Sequence, residues 1–277
     1  MLQDWVTQLW VKTVGKRIDI TQMPWIEGVI GDRKIIDKFY IDRLASQYDV
    51  IINQAGSGLI EDINVLDFTA SERGRLHPQI IDFYTHTSDY DFEVWCEWKG
   101  VFKPFGTLLG WLFSKRLQQL NIPTNTRSLA KGLKSEIIKL QKKEQTVWTI
   151  WYRKVKETGQ TLFSGIYTHA YLPSKDKELF KVVFPLPNGN ATVLLNQEVK
   201  EDGSLLLQSN GKQFGDVGFY FYVTNHKGKH WVKFVRALHE SLHMYVDADG
   251  KLRTDHNFSF YTIPFLKLHY KMQRREN

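Results

Sequence analysis

Hydrophobic residues recur at helical spacing in the first part of the chain. Residues 1–14 carry apolar side chains every three or four positions, and residues 32–48 repeat the pattern after Asp32, a plausible N-cap. Pro78 suits the first turn of a third, shorter helix. The sequence therefore predicts that residues 1–88 are mainly helical. The apolar positions of the two longer patterns are Leu2, Trp5, Val6, Leu9, Ile35, Ile36, Phe39, Tyr40 and Leu44.

The pattern changes to a period of two at Tyr90. From there to Trp98 apolar residues alternate with mostly acidic ones, which is typical of a strand with one buried face. Later alternating segments are separated by turn sequences such as Asn188-Gly189 and Asp249-Gly250, and short connections favour antiparallel hairpins. Predicted strands lie near 134–140, 146–156, 161–171, 179–184, 191–199, 204–209 and 217–224, on both sides of Asp249-Gly250 to about Ser241 and Thr262, and at 265–270.

These patterns predict a single α+β domain over residues 1–277. Helices in residues 1–88 are followed by a large, mostly antiparallel sheet in residues 89–277. Residues 147–152 are apolar or aromatic on both faces of their strand, which indicates a strand covered on both sides. We therefore expect the sheet to be barrel-like, with a capping helix near residues 105–120.

The predicted capping helix has three interpretations. Lys103 and Lys115 bracket eleven uncharged residues that include Trp111 and Phe113. Apolar residues nearly encircle the helix, which favours a buried plug at one end of the sheet. The same helix could gate an apolar ligand, or lie in a membrane interface through its aromatic residues and flanking charges.

Composition narrows the function classes only a little. The chain has 277 residues, 14% of them aromatic, and a formal net charge of +7. Its basic residues form no stripe interleaved with aromatic ones, so nucleic acid is not an expected partner, whereas an anionic membrane surface is compatible. The lone Cys96 excludes an internal disulfide, and no signal-peptide pattern or run of about 18 apolar residues is present. We expect a cytoplasmic location.

Large aromatic residues in the predicted strands could line a cavity. Tyrosine combines an apolar ring with a polar tip, as ligand pockets require, and barrels of about eight strands or more can hold one small ligand. The sequence therefore predicts a site for an apolar or amphipathic, lipid-like molecule, which requires no cofactor. The predicted ligand-binding residues are Trp111, Phe113, Tyr152, Tyr167, His169, Tyr220 and Tyr222.

A second candidate site is the pentapeptide His239-Glu240-Ser241-Leu242-His243. On a helix its two histidines share one face and could bind zinc, with His256 as a candidate third ligand and Glu240 as the catalytic base. This H-E-x-x-H pattern resembles the zincin metallopeptidases over five residues. The resemblance implies a zinc-dependent hydrolase.

The same residues also fit a strand. Leu242, Met244 and Val246 alternate with polar or aromatic residues up to the Asp249-Gly250 turn. In a strand His239 and His243 would lie about 13 Å apart, too far for one zinc ion with bonds of about 2 Å. The backbone state of residues 237–246 distinguishes the two interpretations.

Three functions follow from these observations. The first hypothesis is a non-enzymatic binding protein for a lipid-like small molecule. Such a protein could also act at a membrane surface. The second is the zinc-dependent hydrolase with His239, Glu240 and His243. The third is a structural or interaction domain without a small-molecule site.

Overall fold

The structure is a computed structural model that describes residues 2–31, 38–52, 54–99, 133–155 and 161–275. The predicted helix at 105–120, with Trp111 and Phe113, lies outside the described residues. The helices are α1 (Leu2–Val14), α2 (Lys38–Ala45), α3 (Ala70–Arg75) and α4 (Pro78–Thr85). Single 3-10 turns form at Ile20–Gln22, Pro24–Ile26, Ile63–Val65 and Thr87–Asp89.

The strands are numbered in chain order. They are β1 (Lys16–Ile18), β2 (Asp49–Ile52), β3 (Tyr90–Trp98), β4 (Leu133–Lys142), β5 (Gln145–Val155), β6 (Thr161–Leu172), β7 (Lys177–Leu186), β8 (Gly189–Val199), β9 (Leu205–Gln208), β10 (Gly218–Thr224), β11 (His230–Phe234), β12 (Leu238–Val246), β13 (Leu252–Phe260) and β14 (Ile263–Arg274).

The described strands form one sheet, and their pairing is antiparallel throughout. The order is β1-β11-β10-β8-β7-β6-β5-β4-β3-β14-β13-β12-β9, and β2 pairs separately with β4. Sequence neighbours from β4 to β8 and from β12 to β14 pair directly, as their short connections require. The prediction of N-terminal helices and a large, mostly antiparallel sheet is confirmed.

Strand β8 pairs differently along its two halves. Its residues Asn196–Val199 pair with β9, and β9 pairs on its other side with β12. Its residues Gly189–Leu194 pair instead with β10, which leads to β11 and β1. Strand β8 is therefore the point at which the strands that lead to β9 and the strands that lead to β1 separate.

The inner face of the sheet packs on the segment that contains α3 and α4. A capping box between Thr69 and Glu72 begins α3, and the His77 side chain accepts the amide hydrogen of Gln79 at the start of α4. Phe83 of α4 inserts among aromatic rings of the sheet. We call this end of the strands the helical end.

The opposite end, which we call the distal end, lies where β3 stops at Trp98, β4 begins at Leu133 and β13 turns into β14 at Tyr261. The outer face of the sheet has its own covering layers. Trp25 and Ile26 pack on strands β6, β7, β8 and β10, and Leu44 of α2 packs on strands β4 to β7.

Candidate functional site

Three buried side chains that can carry charge lie on the inner face of the sheet, towards the distal end. They are Arg153 of β5, Glu240 of β12 and His256 of β13, each less than a tenth exposed. They share this face because side chains alternate along a strand, and Arg153 is two residues from the inward Trp151. Charged groups are rarely buried in this way unless they have partners. The three residues define the candidate site.

Glu240 and His256 form a contact across β12 and β13. His256 Nε2 lies 3.1 Å from Glu240 Oε2, a hydrogen bond that the imidazole donates when Nε2 carries the proton. The imidazole also lies against the ring of Phe258, with ring centroids 4.1 Å apart. The Glu240 amide donates to the Ser209 hydroxyl at 2.7 Å. These contacts hold the carboxylate towards the interior.

The guanidinium of Arg153 lies near two aromatic rings. Its guanidinium carbon is 4.2 Å from the centroid of the Trp151 ring and 5.6 Å from that of Tyr270. The indole nitrogen of Trp151 donates to the Ser135 hydroxyl at 2.7 Å, which fixes the ring. A desolvated guanidinium over aromatic faces gains cation–π stabilisation. The site therefore places a cation against flat aromatic surfaces.

The pKa values around the site favour neutral hydroxyl and thiol groups. Burial raises the pKa of Tyr270, while the nearby Arg153 charge lowers it and the Glu240 charge raises it. Burial also raises the pKa of the Cys96 thiol to about 11. At neutral pH these groups are uncharged, so they can exchange hydrogen bonds with a ligand, and Cys96 is not an activated nucleophile.

Trp98 provides a further donor at the distal end. Its side chain lies on the inner face beside Cys96, because β3 alternates from Tyr90. The indole N–H of Trp98 is buried, and no described residue accepts a hydrogen bond from it. A buried donor is normally satisfied. A ligand oxygen would satisfy this one.

The structure does not bring the predicted ligand-binding residues together. Tyr167 lies on the inner face, with its ring centroid 5.6 Å from that of Trp151. His169 shares that face but lies at the helical end, where it contacts Glu178 and leaves 43% of its side chain exposed. Tyr152, Tyr220 and Tyr222 lie on the outer face, in the two covering layers. The last three therefore do not line the interior, because their strands bury both faces.

The H-E-x-x-H residues lie in a strand, not in a helix. Glu240 points to the interior, and His239 and His243 point to the opposite face of β12. His239 Nδ1 lies 3.1 Å from the Ser209 carbonyl oxygen, and His243 Nε2 lies 2.8 Å from the Ser204 hydroxyl. The helical arrangement that would place both imidazoles beside Glu240 is therefore wrong.

The predicted third ligand, His256, contacts Glu240 on the inner face and so lies away from His239 and His243. Within the described ranges, no group of three His, Cys, Asp or Glu side chains has the geometry to hold a metal ion. The zinc hypothesis thus has no geometric support in β12, and zinc content stays a matter for direct measurement.

Three residues of the candidate site were not predicted from the sequence, namely Arg153, Tyr270 and Trp98. Arg153 carried one detectable signal, since it follows the run 147–152 in which both strand faces are apolar or aromatic. A charged residue on such a strand either ends the buried region or occupies a polar site within it. Tyr270 and Trp98 carried no comparable signal.

A surface cleft of about 470 Å³ lies at the helical end, away from this site. Pro78, Tyr90 and Met272 contribute to its lining. Its charged residues are Asp82, Lys251 and Arg274, and Arg274 Nη1 lies 3.1 and 3.0 Å from the two carboxylate oxygens of Asp82. Because Asp82 and Arg274 already pair with each other, this cleft offers less for ligand recognition than the inner face does.

The contact between Glu240 and His256 predicts a stability difference. Glu240→Ala should lower the free energy of unfolding by about 2 kcal/mol, because a buried imidazole loses its partner. Glu240→Gln keeps an oxygen at the same position and should cost less. Urea denaturation at neutral pH measures both values, with exposed Glu93→Ala as the control. Equal costs for the two variants at position 240 would show that the contact with His256 does not stabilise the fold.

The fold and site describe a mostly antiparallel sheet protein with a partly polar interior. Among curated proteins, the chain is 25% identical over 259 residues to the uncharacterized membrane protein YndJ of Bacillus subtilis (strain 168). The match covers 93% of this chain and 44% of that protein, so the chain spans less than half of the relative's length. No family model and no solved structure matches the sequence.

The relative corrects one prediction. The sequence predicted a cytoplasmic location, and this prediction is wrong because the matching protein is named a membrane protein. Among the helices that the structure describes, none is long and apolar enough to cross a bilayer.

Proposed function

We propose that this chain is a non-enzymatic binding domain for an amphipathic, lipid-like small molecule. The ligand would lie in the interior of a barrel-like sheet, with its polar group near Arg153, Glu240 and His256. The observation that carries the proposal is the burial of these three side chains among aromatic rings at the distal end. Such a combination of apolar walls and a few polar groups is what small-molecule sites use.

The barrel-like shape is supported by the pairing of β9 with both β12 and β8. It is supported also by the core, since strands β3 to β9 and β12 to β14 all contribute buried side chains to one cluster. A sheet whose inner face forms a single core must curve around it. Barrels of this size hold ligands where side chains leave room.

The two ends of the interior differ in what fills them. At the helical end Leu76, Ile80 and Phe83 pack against the strands in a mainly apolar core, whose buried Gln197 is uncharged and donates to backbone carbonyl oxygens. At the distal end Arg153 and Glu240 replace apolar residues on the same face. Because burying such groups costs free energy, their place in a solid core would be unfavourable, whereas in a binding site they orient a ligand.

The proposal is tested with a probe of matching chemistry. We expect 8-anilinonaphthalene-1-sulfonate, an amphipathic anion, to bind the folded protein and to bind Arg153→Met at least about tenfold more weakly, since a charge-assisted hydrogen bond is worth about 1.5–3 kcal/mol. Arg253→Met is the matched control, because Arg253 lies on the outer face of β13, where it pairs with Asp247. Fluorescence titration gives each Kd.

Thermal melts of both arginine variants establish that they are folded under the conditions of the titration. Native mass spectrometry of the purified protein should also show a bound lipid-like mass that Arg153→Met has lost. Equal probe affinity in wild type and both variants, with no bound mass, would overturn the proposal. The chain would then be a structural or interaction domain.

A further inference from the structure

Helix α1 presents its apolar face outwards. The residues of its exposed face are Trp5, Val6, Leu9, Trp10, Thr13 and Val14, and the exposed fraction reaches 61% for Trp5 and 51% for Val14. An amphipathic helix on a globular protein normally buries this face. Exposed contiguous apolar surface of this kind marks an interaction site.

The contacts of α1 with the sheet show that this orientation is built into the fold. The Val11 side chain of α1 is fully buried, and Gln8 Nε2 donates to the carbonyl oxygen of Pro187 at 3.1 Å. The edge of the Trp10 ring contacts Phe221, with centroids 5.8 Å apart. Thr13 donates to the Leu9 carbonyl oxygen of its own helix, so its hydroxyl requires no outside partner. The helix is thus anchored through Gln8, Val11 and one side of Trp10, and Trp5, Val6 and Leu9 remain exposed.

Basic residues lie beside the C-terminal end of α1. Lys16 and Arg17 are exposed on β1, which pairs with β11, and the β10–β11 turn carries the exposed Lys227 and Lys229. The ammonium of Lys12 lies over the Trp231 ring of β11. Segments 12–19 and 225–230 together hold five Lys or Arg and a single acid, an aspartate. This surface is complementary to a negatively charged one.

We propose that α1 docks this chain on an anionic lipid bilayer, with its apolar face in the headgroup region. Thirteen residues of helix extend about 20 Å, which is too short to cross a bilayer and suits a helix that lies along its surface. Tryptophan favours this interface, and neighbouring lysines and arginines attract anionic lipids. The matching relative is named a membrane protein.

The contact between Gln8 and Pro187 places α1 at the distal end of the sheet, since Pro187 lies in the turn between β7 and β8. Docking would therefore bring the distal end close to lipid. The functional meaning of this proximity, access of lipid to the distal end, is the only part that depends on the proposed ligand site. Docking itself requires no ligand in the interior, so either proposal can fail without the other.

Vesicle flotation with the full chain tests the docking surface. The vesicles contain phosphatidylglycerol and phosphatidylcholine in equal parts, or phosphatidylcholine alone. The test variant is Trp5→Ser with Leu9→Ser. The matched control is Trp95→Ser with Ile52→Ser, which removes one tryptophan and one aliphatic residue that are 44% and 56% exposed elsewhere on the sheet.

We expect wild type and control to float with the anionic vesicles and the α1 variant to bind at least about tenfold more weakly. Lys227→Gln with Lys229→Gln should reduce binding by about fivefold to tenfold, and added salt should act in the same direction. Equal flotation of the α1 variant and the control, or no flotation of wild type, would overturn the proposal.

A second measurement locates the helix directly. Leu9→Cys can be labelled with an environment-sensitive nitrobenzoxadiazole dye, because the native Cys96 is partly buried and burial raises the pKa of its thiol. We expect a blue shift of the dye emission on addition of anionic vesicles. The same label at Tyr171→Cys, at the helical end, should not shift. An unchanged emission from position 9 would contradict docking through α1.

Discussion

Replacing Lys181 by methionine is expected to raise the free energy of unfolding at pH 7 by about 3 kcal/mol. Lys181 is 2% exposed on β7, and burial lowers the pKa of its ammonium from 10.5 to about 7. Each unit of pKa shift is worth about 1.4 kcal/mol, so keeping the charge buried costs on the order of 5 kcal/mol. Methionine fills the same space without this cost, and the hydrogen bond lost to the Glu27 carbonyl oxygen offsets about 1–2 kcal/mol.

The same shift predicts how the stability depends on pH. Between about pH 7 and the unfolded pKa of 10.5, the unfolded chain holds a proton on Lys181 that the folded chain has released. Unfolding takes up that proton, so stability rises with pH, by up to about 1.4 kcal/mol per unit between pH 7 and 9. The negative charges of Glu27 and Glu178 partly counteract the burial, since they raise the pKa of Lys181.

Urea denaturation at pH 7 and pH 9 measures both effects. Lys181→Met should lose the rise between the two pH values that wild type shows. Lys175→Met is the matched control, because Lys175 is exposed and pairs with Asp216, so it should leave both the stability and the pH dependence almost unchanged. A Lys181→Met variant that is less stable than wild type would show that the buried ammonium is a net stabilising group.

Most strands could be predicted because they are long runs of strand-forming residues. Strands β4 to β8 and β14 lie within a few residues of the predicted positions, since turn sequences bound runs that either alternate or are apolar on both faces. Strands β1 and β2 could not be predicted, since three and four residues are too few to show a period. Each of these strands forms only by pairing with a longer partner, β11 or β4.

The site could be predicted only in part. Alternation shows which residues share a face, but it does not show which face is inside when both are apolar. Tyr152 and Trp151 illustrate this, since both are buried and only Trp151 reaches the interior. Of the predicted residues, Tyr167 lies on the inner face, whereas Tyr152, Tyr220 and Tyr222 lie on the outer face.

The His239–His243 segment shows how strand pairing decides between a helical and a strand pattern in the same residues. A helix there would place Leu238 and Leu242 on one face, whereas the strand places Glu240 on the same face as Leu242 and Met244. The strand forms because β12 pairs along its whole length with β13 and over four residues with β9. These long-range pairs outweigh local helical spacing. Glu240 is thereby buried on the inner face of β12.

Phe83→Ala is expected to be the most destabilising of these changes, with a loss of about 4 kcal/mol in the free energy of unfolding. Phe83 is 2% exposed, and its ring contacts the rings of Tyr90, Phe92 and Trp151 at centroid distances of 5.3, 5.8 and 6.2 Å. These edge-on contacts add to the area that the ring buries. Phe83→Leu, the control, keeps most of the volume and should lose about half as much.

The effect of Phe83→Ala tests whether the helical end and the distal end of the sheet are stabilised separately. If α4 fills the helical end as a solid core, the cavity left by the ring cannot collapse, because strands on several sides hold it open. Probe binding near Arg153 should then weaken but persist in the remaining folded protein, because Phe83 contacts the Trp151 ring that packs against Arg153, whereas the Glu240–His256 contact lies elsewhere on the inner face. Denaturation and probe titration of the same variant measure both properties. A loss below about 1 kcal/mol would show that the helical end repacks readily and that α4 is not the fixed base of the interior.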